Sequence, residues 1–182
     1  MSDNVNNNVE LDIDIHAIVN ALDDKKAAQF YKENSSEAEE ILKDEAKTEN
    51  LLGQVDELYE TVPVSDTALS YIPLMVSLVR DHVKKEYTKT SKASMVSVVV
   101  ALMYFVSPYD LIPDTIPQAG YVDDAVVVSG CLAGMKGEVE EYLSWCKDNG
   151  KEFKKLPDFD EVIQESKEHE KLAKAFFKAK KK

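Results

Sequence analysis

Apolar residues recur at three- and four-residue intervals through most of this 182-residue chain, and that spacing predicts helices rather than strands. Between Asp12 and Tyr31, Ile15, Ile18, Val19, Leu22 and Phe30 follow one helical stripe. Asn34, Ser35 and Ser36 then interrupt it, and Ser36 with Glu39 has the spacing of a capping box opening a second helix. Ile41, Leu42, Leu52, Val55, Leu58 and Tyr59 give that helix a thin stripe in an acidic surround, the pattern of a loosely docked arm, and Pro63 ends it. A third helix is predicted from Ser65-Asp66 to about Tyr87, with Leu69, Ile72, Met75, Val76, Val79 and Val83 on its apolar face. Pro73 either kinks this helix or marks its true first turn after an irregular start.

Met95 to Val106 is an apolar run broken only by Ser97. Its valines alone would suit a strand, but no partner strand is legible elsewhere, so the run predicts a helix buried on all sides. A long helix is predicted from Tyr121 to about Asn149-Gly150, and a last one after Pro157-Asp158, with Phe159, Val162, Ile163, Ala173, Phe176 and Phe177 on one side. No internal repeat and no two-residue alternation is visible, so the predicted class is all-α. The expected organisation is a disordered tail over 1–10, an acidic helical arm over 11–63, a compact helical core over 64–150 and an amphipathic C-terminal helix over 151–182. The core is expected to hold a helix, a proline-rich corner and a second helix as a hairpin.

Charge follows this division. The chain holds 34 acids and 22 bases, a net charge of −12. Residues 1–70 carry 17 acids against 5 bases, and residues 71–182 carry 17 of each, so the whole excess belongs to the N-terminal part. Such a balance lacks the clustered Lys and Arg of a phosphate-backbone binder, and no nucleic-acid partner is expected. Cys131 and Cys146 show neither a CxxC pair nor zinc-ligand spacing and read as small core residues. No basic-then-apolar leader opens the sequence, so the expected location is cytoplasmic.

Candidate chemistry concentrates in one corner. Pro108, Pro113 and Pro117 fall between two apolar helices, with Ser107-Pro108 fitting an N-cap and first helical turn and Gly120 supplying a permissive turn. Asp110, Asp114, Asp123 and Asp124 sit there with no Lys or Arg anywhere in residues 94–135. Like charges held together call for a cation, and oxygen-only ligands suit Mg²⁺, Ca²⁺ or Mn²⁺ rather than zinc. The preferred reading is structural: Asp123 and Asp124 favour the positive end of the following helix, and Asp110 and Asp114 accept backbone N–H groups freed by the prolines. His16, His82 and His169 are scattered, and no nucleophile–base pair is spaced for catalysis.

These residues resemble a known family. Tyr104-Phe-Val-Ser-Pro-Tyr-Asp-Leu-Ile-Pro-Asp114, followed by Gly120-Tyr-Val-Asp-Asp124, is similar to the signature of the YkvA-like family of uncharacterised bacterial helical domains. Tyr104, Ser107, Pro108, Asp110, Leu111, Ile112, Pro113, Asp114, Gly120, Tyr121, Asp123 and Asp124 match it, whereas Tyr109 and Thr115 depart from the family's usual isoleucine and aromatic. The resemblance spans about residues 69–135. It implies an α-helical domain, often associated with membranes, and no established activity.

Two further patterns bear on partners. Ser129, Ala133 and Gly137 recur every four residues, as do Gly130 and Gly134, the spacing of a face for close packing on the 95–106 helix or on a second copy. Neither apolar run, 95–106 or 125–133, approaches the roughly twenty residues of a membrane span, so a soluble hairpin is preferred to a shallow re-entrant one. At the C-terminus, Phe176 and Phe177 lie among Lys171, Lys174, Lys178, Lys180, Lys181 and Lys182. That segment reads as a docked helix with a solvated tail, or as an aromatic wedge with a basic rim on anionic lipid. The expected function is a non-catalytic interaction or scaffold module with a protein partner or self-association, peripheral to the membrane. A divalent-cation site, hydrolytic or not, and a membrane-inserted hairpin are the alternatives.

Overall fold

The computed structural model describes residues 24–61, 68–107, 122–153 and 156–162. Among these the protein is all-α: α1 (Asp24–Lys43), α2 (Glu45–Thr61), a 3₁₀ turn (Leu69–Tyr71), α3 (Ile72–Val83), α4 (Lys92–Val106), α5 (Val122–Gly134) and α6 (Lys136–Asp148).

The predicted break at Asn34–Ser36 does not occur, because these side chains bond back onto their own helix. Asn34 Nδ2 donates to Phe30 O at 2.8 Å and Ser35 Oγ to Lys32 O at 3.2 Å, so α1 continues through them. It ends at Lys43, seven residues beyond Ser36, and Asp44 Oδ1 then accepts the Lys47 N–H at 3.1 Å as the N-cap of α2. At this joint the hydroxyl of buried Thr48 donates to Ile41 O at 2.6 Å, with Asp44 O beside it at 3.0 Å. The acidic segment is therefore no loose arm over its described length. Phe30, Tyr31, Ala38 and Ile41 of α1 and Leu51, Leu52 and Val55 of α2 are buried in the common core. A thin stripe suffices because the helices lie against α4 and leave their acids outside.

The 3₁₀ turn leads into α3 with Pro73 in its first turn, which a helix tolerates because no N–H is needed there. α3 stops at Val83, short of the expected Tyr87, since Lys85 takes a positive φ of 61°. The chain's single arginine, Arg80, joins α3 to α2: its Nε lies 3.0 Å and its Nη2 3.3 Å from the two oxygens of Glu49. That two-point contact is open to arginine and closed to lysine.

α4 is the central element. Ser91 caps it, its Oγ accepting the Ser94 N–H at 3.2 Å, and every residue from Ser94 to Leu102 is buried. α1, α2, α3 and α5 all pack against it, which is why a helix apolar on every face is stable here. Ser107 ends it with ψ 143°, the extended geometry that a following proline demands.

The predicted long helix is two. Met135 departs from helical geometry at φ −132°, ψ 32°, and its side chain is buried in the core. The expected stop at Asn149-Gly150 is present as a Schellman motif. Gly150 has φ 70°, Lys151 N–H donates to Cys146 O at 2.9 Å and Gly150 N–H to Lys147 O at 3.3 Å. Beyond it, Asp158 Oδ1 accepts the N–H groups of Asp160 and Glu161 at 2.9 and 3.2 Å, so the expected C-terminal helix starts where Pro157-Asp158 placed it. Val162 is buried and Phe159 meets Tyr71 at 5.5 Å between ring centroids. The Tyr71 hydroxyl donates to Pro157 O at 2.6 Å; burial, with Asp158 nearby, pushes this phenol up to about 12.

Candidate functional site

Of the residues singled out in the sequence, the structure describes one flank of the corner. Tyr104 is buried near the end of α4, with Phe30 edge-on to its ring at 5.2 Å, and Ser107 closes that helix. Pro108, Asp110, Leu111, Pro113, Asp114, Gly120 and Tyr121 lie outside the described residues, as do Lys174, Phe176, Phe177, Lys178, Lys180, Lys181 and Lys182. Asp123 and Asp124 fall in the first turn of α5, Asp124 half-buried, where the helix dipole favours negative charge. Among the described residues no three His, Cys, Asp or Glu side chains come together as metal ligands.

The small-residue face divides. Ser129 and Gly130 are buried and Ala133 is half-buried, whereas Gly134 and Gly137 are exposed. A Cβ built on either of the latter two would meet nothing within 4 Å among the described residues, so α4 makes no close approach at these two positions. The break at Met135 is the reason: it places Gly137 on α6, off the line that Ser129 and Ala133 follow on α5.

The most organised polar site joins α3, α6 and the turn after α6. Asp81 is 3% exposed, and its carboxylate is occupied on both oxygens. Tyr142 donates to Oδ2 at 2.6 Å and Lys151 Nζ to Oδ1 at 2.5 Å. With the phenol proton committed to Asp81, the contact of Tyr142 with Ser77 Oγ at 2.8 Å is a bond donated by the serine. Lys151 also lies 5.4 Å above the Trp145 ring and 3.9 Å from Glu86. Tyr87, Tyr142 and Trp145 close the site, with ring centroids 5.0 to 5.8 Å apart. Burial, reinforced by Asp81, holds the Tyr142 phenol far above its ordinary range, and burial raises the Cys146 thiol. Both groups stay neutral and protonated near pH 7. The arrangement clamps elements together and leaves no activated nucleophile.

The Schellman turn sets this clamp, since it directs the chain so that Lys151 returns onto Asp81. The sequence reading missed the clamp because its members are 61 and 70 residues apart and a helical Asp reads as solvent-facing. One signal was present: Ala68 to Val79 holds no charged residue, so the helix carrying Asp81 is buried over most of its girth.

Next to the clamp, His82 is half-buried, and its Nδ1 is buried without a hydrogen-bond partner among the described residues. Burial lowers its pKa from the ordinary 6.5. The unfolded chain therefore takes up this proton first as pH falls. Stability from His82 is full above about pH 6.5 and is lost as pH falls through the lower, folded value. Urea unfolding between pH 7.5 and pH 5 is expected to show this loss, and His82→Gln to reduce it; equal slopes in the two proteins would contradict the assignment.

A groove of about 760 Å³ runs between α1, α2 and the end of α4. Buried Ile41 and half-buried Met103 and Val106 form its floor, the exposed Glu33, Glu37 and Glu40 line its edge, and Asn34, Ser36, Asn50 and Gln54 add neutral polar lining. It passes Ser107, where the proline-rich corner begins.

Comparison with known proteins places the matched region around α4. A family described as "Protein of unknown function (DUF1232)" matches residues 94–130, which comprise most of α4, the corner and the first part of α5. The "Uncharacterized membrane protein YkvA" of Bacillus subtilis (strain 168) is 29% identical over 77 residues, covering 42% of this chain and 73% of that protein. No solved structure matches the chain.

Proposed function

Because residues 94–130 match the DUF1232 family and the chain is similar to YkvA, we propose that it is a YkvA-like, non-catalytic helical interaction module that binds the membrane surface without crossing it. The observation that carries this reading is the setting of α4. The most apolar of the described helices is enclosed by α1, α2, α3 and α5, so its apolar surface is spent on protein contacts. No helix among the described residues is long and apolar enough to cross a membrane. The YkvA relative is named a membrane protein, and the chain's Phe176-Phe177 pair within Lys171–Lys182 has the chemistry to meet anionic headgroups, each Lys contributing about 1 kcal/mol near such a surface.

Vesicle flotation tests this. The full chain is expected to float with phosphatidylglycerol vesicles at low salt, to stay behind with phosphatidylcholine, and to be released at about 0.5 M salt, where the screening length is only a few ångströms. Lys178→Ala/Lys180→Ala/Lys181→Ala should weaken flotation severalfold. Failure to float with either lipid, or salt-resistant binding to both, would overturn the reading.

A further inference from the structure

The rim and floor of the groove specify an occupant. Glu33, Glu37 and Glu40 follow one face of α1 at helical spacing, beside a floor of Ile41, Met103 and Val106. Lys47 is the basic side chain among the described lining residues, and Glu40 already faces it at 3.8 Å. The site therefore suits a segment that is apolar on one side and basic on the other. Residues 1–23 carry five acids and no Lys or Arg, and residues 108–121 carry Asp110 and Asp114 and no base, so like charge opposes both. Lys171–Lys182 carries six Lys, no acid and the pair Phe176-Phe177.

We propose that this groove is the intramolecular dock of Lys171–Lys182, with Phe176 and Phe177 on the apolar floor and the lysines along Glu33, Glu37 and Glu40. Nine residue steps separate Val162 from Lys171, at most about 30 Å of chain. Complementary charge selects the segment and the apolar floor sets its depth. The dock is independent of the membrane reading. Where both hold, groove and lipid compete for one segment.

Carbodiimide coupling of Lys to carboxylates in the full chain, followed by mass spectrometry of the monomer band, tests the dock. The expected links join Lys174, Lys178 and Lys180–Lys182 to Glu33, Glu37 and Glu40, and their yield falls severalfold between about 0.05 and 0.5 M salt as screening increases. Phe176→Ala/Phe177→Ala, which leaves every charge in place, should reduce the same links and shift the amide resonances of residues 33–41 and 103–107. Links spread evenly over exposed acids such as Glu57, Glu60 and Asp148 would overturn the proposal. So would amide shifts absent from those two stretches, or links confined to a dimer band, which would place a second copy's segment in the groove. Failure of flotation leaves these links unchanged, so the two readings fail separately.

Discussion

Lys151→Met is expected to destabilise the fold by about 3 kcal/mol, because it leaves the buried Asp81 carboxylate facing Tyr142 with no countercharge. Breaking a buried ion pair from one side costs about 3–5 kcal/mol. The lower end applies because the Lys151 side chain is itself 35% exposed. Asp81→Leu should cost less, about 1–2 kcal/mol: Lys151 can turn toward Glu86 and water, and the chief loss is the acceptor of the buried Tyr142 hydroxyl. The double substitution Asp81→Leu/Lys151→Met removes both charges together and should be more stable than Lys151→Met alone. Urea unfolding of the four proteins measures the coupling between the two sites. A Lys151→Met variant within about 0.5 kcal/mol of the parent, or strictly additive effects, would show that the clamp is not a coupled buried pair.

Three neighbouring substitutions in α4 give the second large effect. Val98, Val99 and Val100 are each 0% exposed, yet successive helical residues point about 100° apart. Changing any one to Ala removes two buried methyl groups and should cost about 2 kcal/mol, including the cavity left behind. For a chain of this length that lowers the melting temperature by roughly 4–8 °C. An ordinary amphipathic helix facing water would tolerate at least one of the three cheaply. Thermal unfolding of the three single variants therefore reads whether α4 is enclosed on every side, and one neutral position would contradict that enclosure.

Much of this was legible from local pattern. The apolar run 95–106 announced a buried helix because no face of it is polar, and Gly150 announced the end of α6 because a left-handed residue favours glycine. The N-cap at Asp158 was equally local. Errors arose where a polar residue had two uses. Asn34 and Ser35 resemble a helix break but satisfy carbonyls of their own helix, whereas Asp44, with no apolar landmark beside it, caps the next one. Gly134 and Gly137 fell within one predicted long helix, yet Met135 between them supplies the break that divides it. The Asp81–Tyr142–Lys151 clamp was invisible because its spacing is tertiary, with no periodicity to betray it. The corner aspartates were legible as a motif, and Asp123 and Asp124 do open a helix; Asp110 and Asp114 remain known by sequence alone.

The central claim is that α4, on which the DUF1232 match begins, lies inside the folded module, which we propose meets the membrane from its surface. Extraction of native membranes tests it most directly, by comparing release of the full chain at high salt with release in alkaline carbonate. The account predicts that salt alone releases the protein, and that the released protein unfolds with the enclosed-helix response of the Val98, Val99 and Val100 variants. Retention in the membrane through both salt and carbonate would show that α4 lies within lipid, and would contradict it.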